Sequence, residues 1–154
     1  MEIRKAIRSD AVGMWAVRTA AIRAIEEKYY SKEEMLKWSP DKMPPSFEDM
    51  IEKYDWLVIE VDDSIVATGA LDSEKKSIEA MFVMPDYQKK GFAKKILSDL
   101  EVIAKEKCFQ ILTLESALAA EFFYAKQGYR SVEKSKYHSP SGLELDCIKM
   151  EKQL

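Results

Sequence analysis

The segment MFVMPDYQKKGFAKKIL, residues 81–97, constrains the fold most, because it joins a strand pattern directly to a helix pattern. Its apolar start breaks at Pro85, and apolar residues recur at helical spacing after Gly91. The segment therefore predicts a strand, a glycine-containing turn and a helix in immediate succession.

The turn between these two elements has the composition of an anion site. A helix start leaves main-chain N–H groups unpaired, and the helix macrodipole is positive there. Gly91 has no β-carbon to block a ligand, Ala93 is nearly as small, and Lys89 and Lys90 add positive charge. A phosphate or pyrophosphate is the ligand that suits such a turn.

Apolar spacing and capping residues predict the remaining elements. On the N-terminal side we expect a strand near Ile3, a helix from Ser9 or Asp10 to about Tyr29, a helix from Ser31 to about Trp38, a helix capped by Ser46, and a hairpin turning at Asp62–Asp63. After the strand ending near Met84 we expect a helix to about Lys107, a parallel strand FQILTLES, a helix from Leu118 to Gln127, and closing strands at 129–138 and 143–151.

Composition limits the class of protein. With 154 residues, 47% hydrophobic and 33% charged, the chain is expected to form one globular domain, residues 1–154. A net charge of −3 argues against general nucleic-acid binding. Two cysteines favour reduced thiols and a cytoplasmic location, and no apolar run is long enough to predict a membrane span. No metal site is predicted.

Two motifs resemble one known family. Gln88-Lys89-Lys90-Gly91-Phe92-Ala93 is similar to the acyl-coenzyme A pyrophosphate loop of the GNAT N-acetyltransferase superfamily, Q/R-x-x-G-x-G/A, in its alanine-ended form. SALAAEFFYAKQGYR, residues 116–130, is similar to the last helix of that family, A-x-x-F-Y-x-x-x-G-F/Y. The fingerprints of nucleoside-triphosphate and dinucleotide sites are missing. In isolation, residues 88–93 could also be only a well-capped helix start.

The resemblance implies an α/β (α+β) fold, with a central mixed, mostly antiparallel sheet of about six to seven strands and about four helices on its two faces. It also implies acetyl-CoA as co-substrate. The fourth and fifth strands would splay, and the pantetheine arm would pair with main-chain groups of Phe82 and Val83.

The resemblance further assigns the pyrophosphate to residues 88–94. This set comprises Gln88, Lys89, Lys90, Gly91, Phe92, Ala93 and Lys94, whereas Lys95 is equally well explained as solvated helix surface. Ser116 would contact the cofactor, although a helix N-cap role explains it as well.

Two residues match catalytic positions of the family. Tyr124 would give a proton or a hydrogen bond to the departing thiolate, or it is a core aromatic like its expected core neighbours Phe122 and Phe123. Glu79 would take the proton of the amine, directly or through water, because it is the one carboxylate in an otherwise apolar strand. The alternative places Glu79 at the solvent-exposed (wet) end of the strand, beside Lys76 or Ser77.

The acceptor would lie against the first two helices and the loop before the last strand. Glu26, Glu27, Tyr30 and Trp38 fall there and would suit a cationic amine, or they form a solvated helix face. His138, the only histidine, is expected at the surface or at the edge of this pocket.

The resulting functional expectation is direct transfer of an acetyl group, in a ternary complex, to a primary amine of a small molecule or a peptide. Neither nucleic acid nor a membrane is an expected partner, and a homodimer is compatible with the resemblance. A non-catalytic acyl-CoA-binding module of the same fold is the alternative, and a domain without any coenzyme site is a third.

Overall fold

The computed structural model describes residues 1–139 and 141–154. Seven strands form one sheet in the order β1-β2-β3-β4-β5-β7-β6. The strands are β1 (Glu2–Lys5), β2 (Asp55–Val61), β3 (Ser64–Asp72), β4 (Ser77–Val83), β5 (Ile111–Ala117), β6 (Arg130–His138) and β7 (Glu144–Gln153). Only β4 and β5 pair in parallel, so the sheet is mixed and mostly antiparallel, as expected.

Five helices of the described residues cover both faces of this sheet. They are α1 (Ala11–Arg23), α2 (Lys32–Trp38), α3 (Ser46–Lys53), α4 (Phe92–Glu106) and α5 (Glu121–Lys126). Buried residues of α4 and α5 pack in one core cluster, whereas those of α1, α2 and α3 pack in two clusters on the other face. The α/β (α+β) expectation is confirmed, with the five helices that the residue patterns predict and one more than the resemblance implies.

Local sequence rules account for several of these elements. Asp62 and Asp63 adopt φ values of 51° and 61°, which is the left-handed geometry that a two-residue hairpin turn requires. The side chain of Ser31 accepts a hydrogen bond from the Glu34 N–H at 3.1 Å, and the Glu34 side chain accepts one from the Ser31 N–H at 3.0 Å. The predicted capping box at the start of α2 is therefore present.

Close packing of α4 on the sheet requires a glycine in β3. A β-carbon at Gly69 would lie 2.6 Å from Cγ2 of Ile96 and 3.1 Å from the carbonyl oxygen of Ala80. Because the carbonyl is main chain, β4 and α4 would both have to shift. Gly69 thus sets the distance between the sheet and the helix that follows the 88–91 turn.

The first helix is shorter than its apolar spacing predicts. It ends at Arg23 instead of near Tyr29, and the chain then turns. Tyr30 is buried, its hydroxyl donates to the Asp146 carbonyl at 2.6 Å, and it accepts from the Leu118 N–H at 3.0 Å. These contacts with distant residues fix the chain after α1 and override its local helical preference.

Three predicted helix starts also differ. Asp10 makes no cap hydrogen bond to α1, because its carboxylate binds Arg4 and the Ile7 N–H. Ser46 is the first helical residue of α3 and does not cap it. The predicted helix from Leu118 begins as a 3₁₀ turn, and the α-helical part starts at Glu121.

Candidate active site

The parallel pair β4 and β5 opens into a gap. The two strands are paired only at Ser77 with Thr113 and at Ile78 with Leu114. Beyond Ile78, β4 continues along β3 to Val83, whereas β5 continues along β7. The edge of β4 that faces β5 is therefore unpaired from residue 79 to residue 83, and this is the splay that the family resemblance implies.

A register shift occurs where this gap begins. Ala70 lies opposite Ala80 and Leu71 lies opposite Ile78, so Glu79 is an extra residue on β4. Such a β-bulge leaves its extra residue outside the ladder and re-aims the neighbouring groups. Glu79 is exposed and accepts a hydrogen bond from the Ser77 hydroxyl at 2.6 Å, as the wet-end interpretation expects.

Main-chain direction decides which β4 residues can offer polar groups to the gap. The Met84 N–H donates to the Val66 carbonyl at 2.8 Å, toward β3. Main-chain groups of successive strand residues point to alternate edges, so those of Val83 and Met81 face the gap and those of Phe82 face β3. Of the two positions expected to pair with the pantetheine arm, Val83 has the right direction and Phe82 does not. The direction of Met81 could not be predicted, because strand alternation cannot be oriented before the ladder is known.

The turn after β4 presents a row of free main-chain donors. Lys89 and Gly91 have φ values of 61° and 88°, and Gly91 directly precedes α4 with no side-chain cap. Among the described residues, no acceptor is found for the main-chain N–H groups of residues 89–94. Nothing lies within 4 Å of a β-carbon built at Gly91, so the approach to these N–H groups is open. Consecutive N–H groups in such conformations form an anion-binding concavity.

Side chains around the turn differ in their partners. Gln88 donates from Nε2 to the Val83 carbonyl at 3.2 Å and so ties the turn to the end of β4. Lys89, Lys90 and Lys94 are exposed and form no ion pair within the described part of the chain. Lys95 pairs with Asp99 at 3.0 Å, as expected of solvated helix surface. Phe92 and Ala93 are half-buried in the first turn of α4 and pack against the core.

Tyr124 is a buried aromatic with an unbonded hydroxyl. It belongs to the same core cluster as Val83, and its ring packs edge-on against Phe123 and Tyr129 with centroids 5.1 Å and 5.8 Å away. Burial raises the pKa of Tyr124 above its usual range, so the phenol stays neutral. Its hydroxyl has no hydrogen-bond partner among the described residues. In that part of the chain, every polar side-chain atom that solvent cannot reach does have a hydrogen-bond partner. The hydroxyl therefore retains access to space outside the core.

The structure differs from the predictions made for Phe122 and for the capping role of Ser116. Phe122 is 71% exposed, so only Phe123 of the two phenylalanines packs on the core. Ser116 is buried, and its hydroxyl donates to the Ala117 carbonyl at 2.8 Å. It caps no helix, because Ala117 occupies the N-cap position of the following turn.

The opposite face of the gap is lined by aromatic residues of α2 and β6. Trp38 lies between Tyr30 and Tyr137, with ring centroids 5.7 Å and 6.1 Å away. Glu26 and Glu27 are exposed and pair with Lys28 and Lys32, so they form the solvated surface that was the alternative for them. Of the four expected acceptor residues, the structure brings together only Tyr30 and Trp38.

Three side chains near this face, Arg18, Glu115 and Tyr137, were not predicted from the sequence. Arg18 of α1 lies over Phe82, the guanidinium carbon being 5.7 Å from the ring centroid. Tyr137 has a pKa raised by burial, lowered by Arg18, and raised by Glu79 and Glu115. All of these groups therefore lie close enough to Tyr137 to affect the pKa of its phenol. No short motif links them, since they come from α1, β4, β5 and β6.

His138 lies at the exposed end of β6, with Nδ1 3.6 Å from Glu144. Strand alternation turns it to the face opposite Tyr137. The surface interpretation fits this position.

Other site types find little support in residues 1–139 and 141–154. These residues contain no cluster of three or more histidine, cysteine or acidic side chains that could hold a metal. Their helices are too short or too polar to cross a bilayer. A groove of about 580 Å³ along α1, lined in part by Val12, Thr19 and Met43, includes no residue of β4, β5 or the 88–94 turn.

Comparison with protein families decides the classification. A family model described as "Acetyltransferase (GNAT) domain" matches residues 26–154. The chain belongs to this family. Comparison with curated proteins finds no match.

Solved GNAT structures have the same fold. A GCN5-related N-acetyltransferase structure from Rhodopseudomonas palustris, also described as aminotransferase, class-II, superimposes with a TM-score of 0.91 at 24% identity over 99% of this chain and 95% of that one. The PaiA N-acetyltransferase of Thermoplasma acidophilum, in complex with coenzyme A, gives 0.79 at 20% identity over 99% and 98%. The ribosomal-protein-alanine N-acetyltransferase of Brucella melitensis gives 0.65 at 21% identity over 100% of both chains.

Proposed function

We propose that the protein transfers an acetyl group from acetyl-CoA to a primary amine of a small molecule or a peptide, by direct attack in a ternary complex. The observation that carries this proposal is the row of free N–H groups at residues 89–94 beside the unpaired edge of β4. A GNAT domain with such an open turn has the two features that a diphosphate-linked thioester needs for binding. The Thermoplasma relative is described in complex with coenzyme A, which supports the same co-substrate here.

The residues present fit this co-substrate. The main-chain N–H groups of residues 89–94 would hold the diphosphate, with Lys89, Lys90 and Lys94 supplying outer charge. Main-chain groups of Met81, together with the Val83 carbonyl that also accepts from Gln88, would pair with the pantetheine arm as a neighbouring strand does. The acyl carrier would supply an activated acetyl thioester. The proton transfers would depend on side chains around the gap.

Two side chains would move protons. Tyr124 is neutral because burial raises its pKa, so its hydroxyl would donate to the departing sulfur. Glu79 is exposed at the bulge, where it would accept the proton of the amine directly or through water. The Val83 N–H faces the gap and would donate to the acetyl oxygen.

Thiol release from acetyl-CoA in the presence of an amine panel tests the proposal. The panel would contain polyamines, aminoglycosides, amino acids and N-terminal peptides of ribosomal proteins. We expect amine-dependent thiol release together with an increase in melting temperature on adding coenzyme A. Binding without turnover on any amine would favour the non-catalytic module instead. No binding at all would overturn the proposal.

A further inference from the structure

Arg18 stands out among the residues of the gap. It lies on the side of α1 that faces the sheet, and its guanidinium carbon is 4.6 Å from the ring centroid of Trp15 as well as 5.7 Å from that of Phe82. Phe82 belongs to the part of β4 that has no β5 partner. Arg18 is therefore placed at the acceptor side of the gap, opposite the face that carries α4.

The guanidinium is fixed by neutral groups. It donates to the Ser39 hydroxyl at 2.8 Å and to the Trp38 carbonyl at 3.1 Å, and the Ser39 hydroxyl in turn bonds to Thr19 at 2.7 Å. A guanidinium has five N–H donors in a planar fork, so these two bonds leave others to bind a ligand. Two aromatic rings and two hydrogen bonds thus hold the fork in one orientation.

Arg18 has no counter-ion within residues 1–139 and 141–154. Among the described residues no carboxylate forms an ion pair with it, whereas Arg4, Arg8, Arg23 and Arg130 all pair with carboxylates. Burial lowers the pKa of Arg18, which reports the cost of holding an unpaired charge away from water. A half-buried cation with rigid donors and no partner is the arrangement that binds a planar anion.

Negative charge also lies near this pocket. The charge of Arg18 lowers the pKa of Tyr137 and the charges of Glu79 and Glu115 raise it, so all three groups lie near this phenol. Both glutamates are exposed, so both are available to an incoming ammonium group. Glu79 also begins the unpaired edge of β4, three residues before the Phe82 ring that lies under Arg18, so the pocket combines one positive charge with two negative charges.

We infer that the amine acceptor carries a carboxylate, which the Arg18 guanidinium binds while the amine is directed toward the acidic end of the pocket at Glu79. This inference rests on the proposed acetyl transfer and names the class of acceptor. It replaces the expectation of a purely cationic amine, because the acids named for that expectation, Glu26 and Glu27, are solvated and paired on the surface.

Matched pairs of acceptors test the inference. Glycine, β-alanine, γ-aminobutyrate and phenylalanine, which vary the distance from amine to carboxylate and the bulk of the side chain, are each compared with the corresponding carboxamide. The wild-type protein should show a kcat/KM at least about 10-fold higher for at least one acid than for its amide, equivalent to about 1.4 kcal/mol. Equal rates on acids and amides, or faster rates on the amides, would overturn the inference and leave acetyl transfer intact.

Three variants assign the effect to Arg18. Arg18→Gln should abolish the preference for acids, and Arg18→Lys should keep part of it because it retains the charge without the fork. Arg23→Gln is the matched control, since Arg23 also lies on α1 and donates to the Ser39 carbonyl at 3.1 Å but pairs with Asp41. The control should keep the full preference, and the dissociation constant of coenzyme A should be unchanged in all three.

A binding measurement separates this inference from the proposed function. Calorimetry of the N-acetylated acids and amides with the coenzyme A-bound protein needs no turnover. We expect the acids to bind more tightly, and the difference to disappear in Arg18→Gln, or to shrink in Arg18→Lys if the glutamine variant is unfolded. Acid binding without thiol release on any amine would refute acetyl transfer alone. A preference for acids that survives in folded Arg18→Gln, or no binding of any acid, would refute the role of Arg18.

Discussion

The two sides of the gap between β4 and β5 are built in different ways. On the α4 side the groups open to a ligand are main-chain N–H groups of one continuous segment, residues 89–94. On the α1 side they are side chains of Arg18, Trp38, Tyr137 and Glu79, which come from four separate elements. A main-chain site depends on local conformation and tolerates few changes, whereas a side-chain pocket can change its specificity residue by residue. We therefore expect the first side to be common to the family and the second side to select the acceptor.

Tyr124→Phe should have the largest effect on turnover. Loss of the acid should lower kcat about 100-fold, at the lower end of what general acids contribute. Coenzyme A affinity should stay within about twofold, because the hydroxyl contacts no main-chain donor of the turn. Steady-state kinetics and calorimetry measure the two quantities. Since burial raises the pKa of this phenol above its ordinary 10.0, wild-type activity should not decline through its ionisation as pH rises toward that value.

Tyr129→Phe is the matched control for that variant. The Tyr129 hydroxyl donates to Glu101 at 2.7 Å, so its loss should lower the free energy of unfolding by about 1 kcal/mol and leave kcat unchanged. Tyr124→Phe should keep its melting temperature, because its hydroxyl has no partner to lose. Unchanged turnover in Tyr124→Phe would reduce the phenol to a packing role.

Gly91→Trp should weaken coenzyme A binding about 30-fold, or about 2 kcal/mol, because the indole would cover the N–H groups of the turn. Gly142→Trp is the control, since Gly142 has a similar φ of 84° against 88° and equally open surroundings. Both variants should suffer the same backbone strain, but only Gly91→Trp should lose affinity. Calorimetry that gives equal losses would show that strain, and not access, is responsible.

Glu79→Gln should lower kcat/KM about 10-fold by removing the proton acceptor, with little change in coenzyme A affinity. Glu115→Gln tests the other carboxylate of the pocket, which accepts a hydrogen bond from Cys147 at 3.4 Å. If thiol release shows a larger loss of kcat/KM in Glu115→Gln than in Glu79→Gln, the general base is Glu115 of β5 and not Glu79.

Lys94→Ala should have the smallest effect, about a threefold weaker binding of coenzyme A that disappears at high salt. Lys95→Ala is an adjacent control, because Lys95 is already paired with Asp99. Equal effects of the two substitutions would mean that coenzyme A responds to the overall positive potential near the turn and makes no specific contact with Lys94.

The sequence predicted those parts that depend on neighbouring residues. The hairpin at Asp62–Asp63, the capping box at Ser31 and the turn at residues 88–93 are all set by short-range geometry. The end of α1 was wrong because Tyr30 is fixed by contacts with Leu118 and Asp146, far along the chain.

The cluster of side chains around Arg18 could not be predicted for the same reason. In the sequence, Arg18 is one of several basic residues on a predicted helix. Only the fold shows that its guanidinium lies against the rings of Trp15 and Phe82 and forms no ion pair with a carboxylate of the described residues. The sequence assigned main-chain contacts to Phe82, whereas the strand ladder turns the main-chain groups of Val83 and Met81 toward the gap. The sequence shows which side chains are charged or aromatic, but it does not show which of them lie together in the folded protein.

The most direct test of the account is the response of the main-chain amides themselves. In ¹H–¹⁵N spectra of the labelled protein, coenzyme A should shift the amide resonances of residues 89–94 strongly, and pantetheine, which lacks the diphosphate, should leave them in place. Amides of the turn that do not move at saturating coenzyme A would contradict the claim that this turn holds the diphosphate.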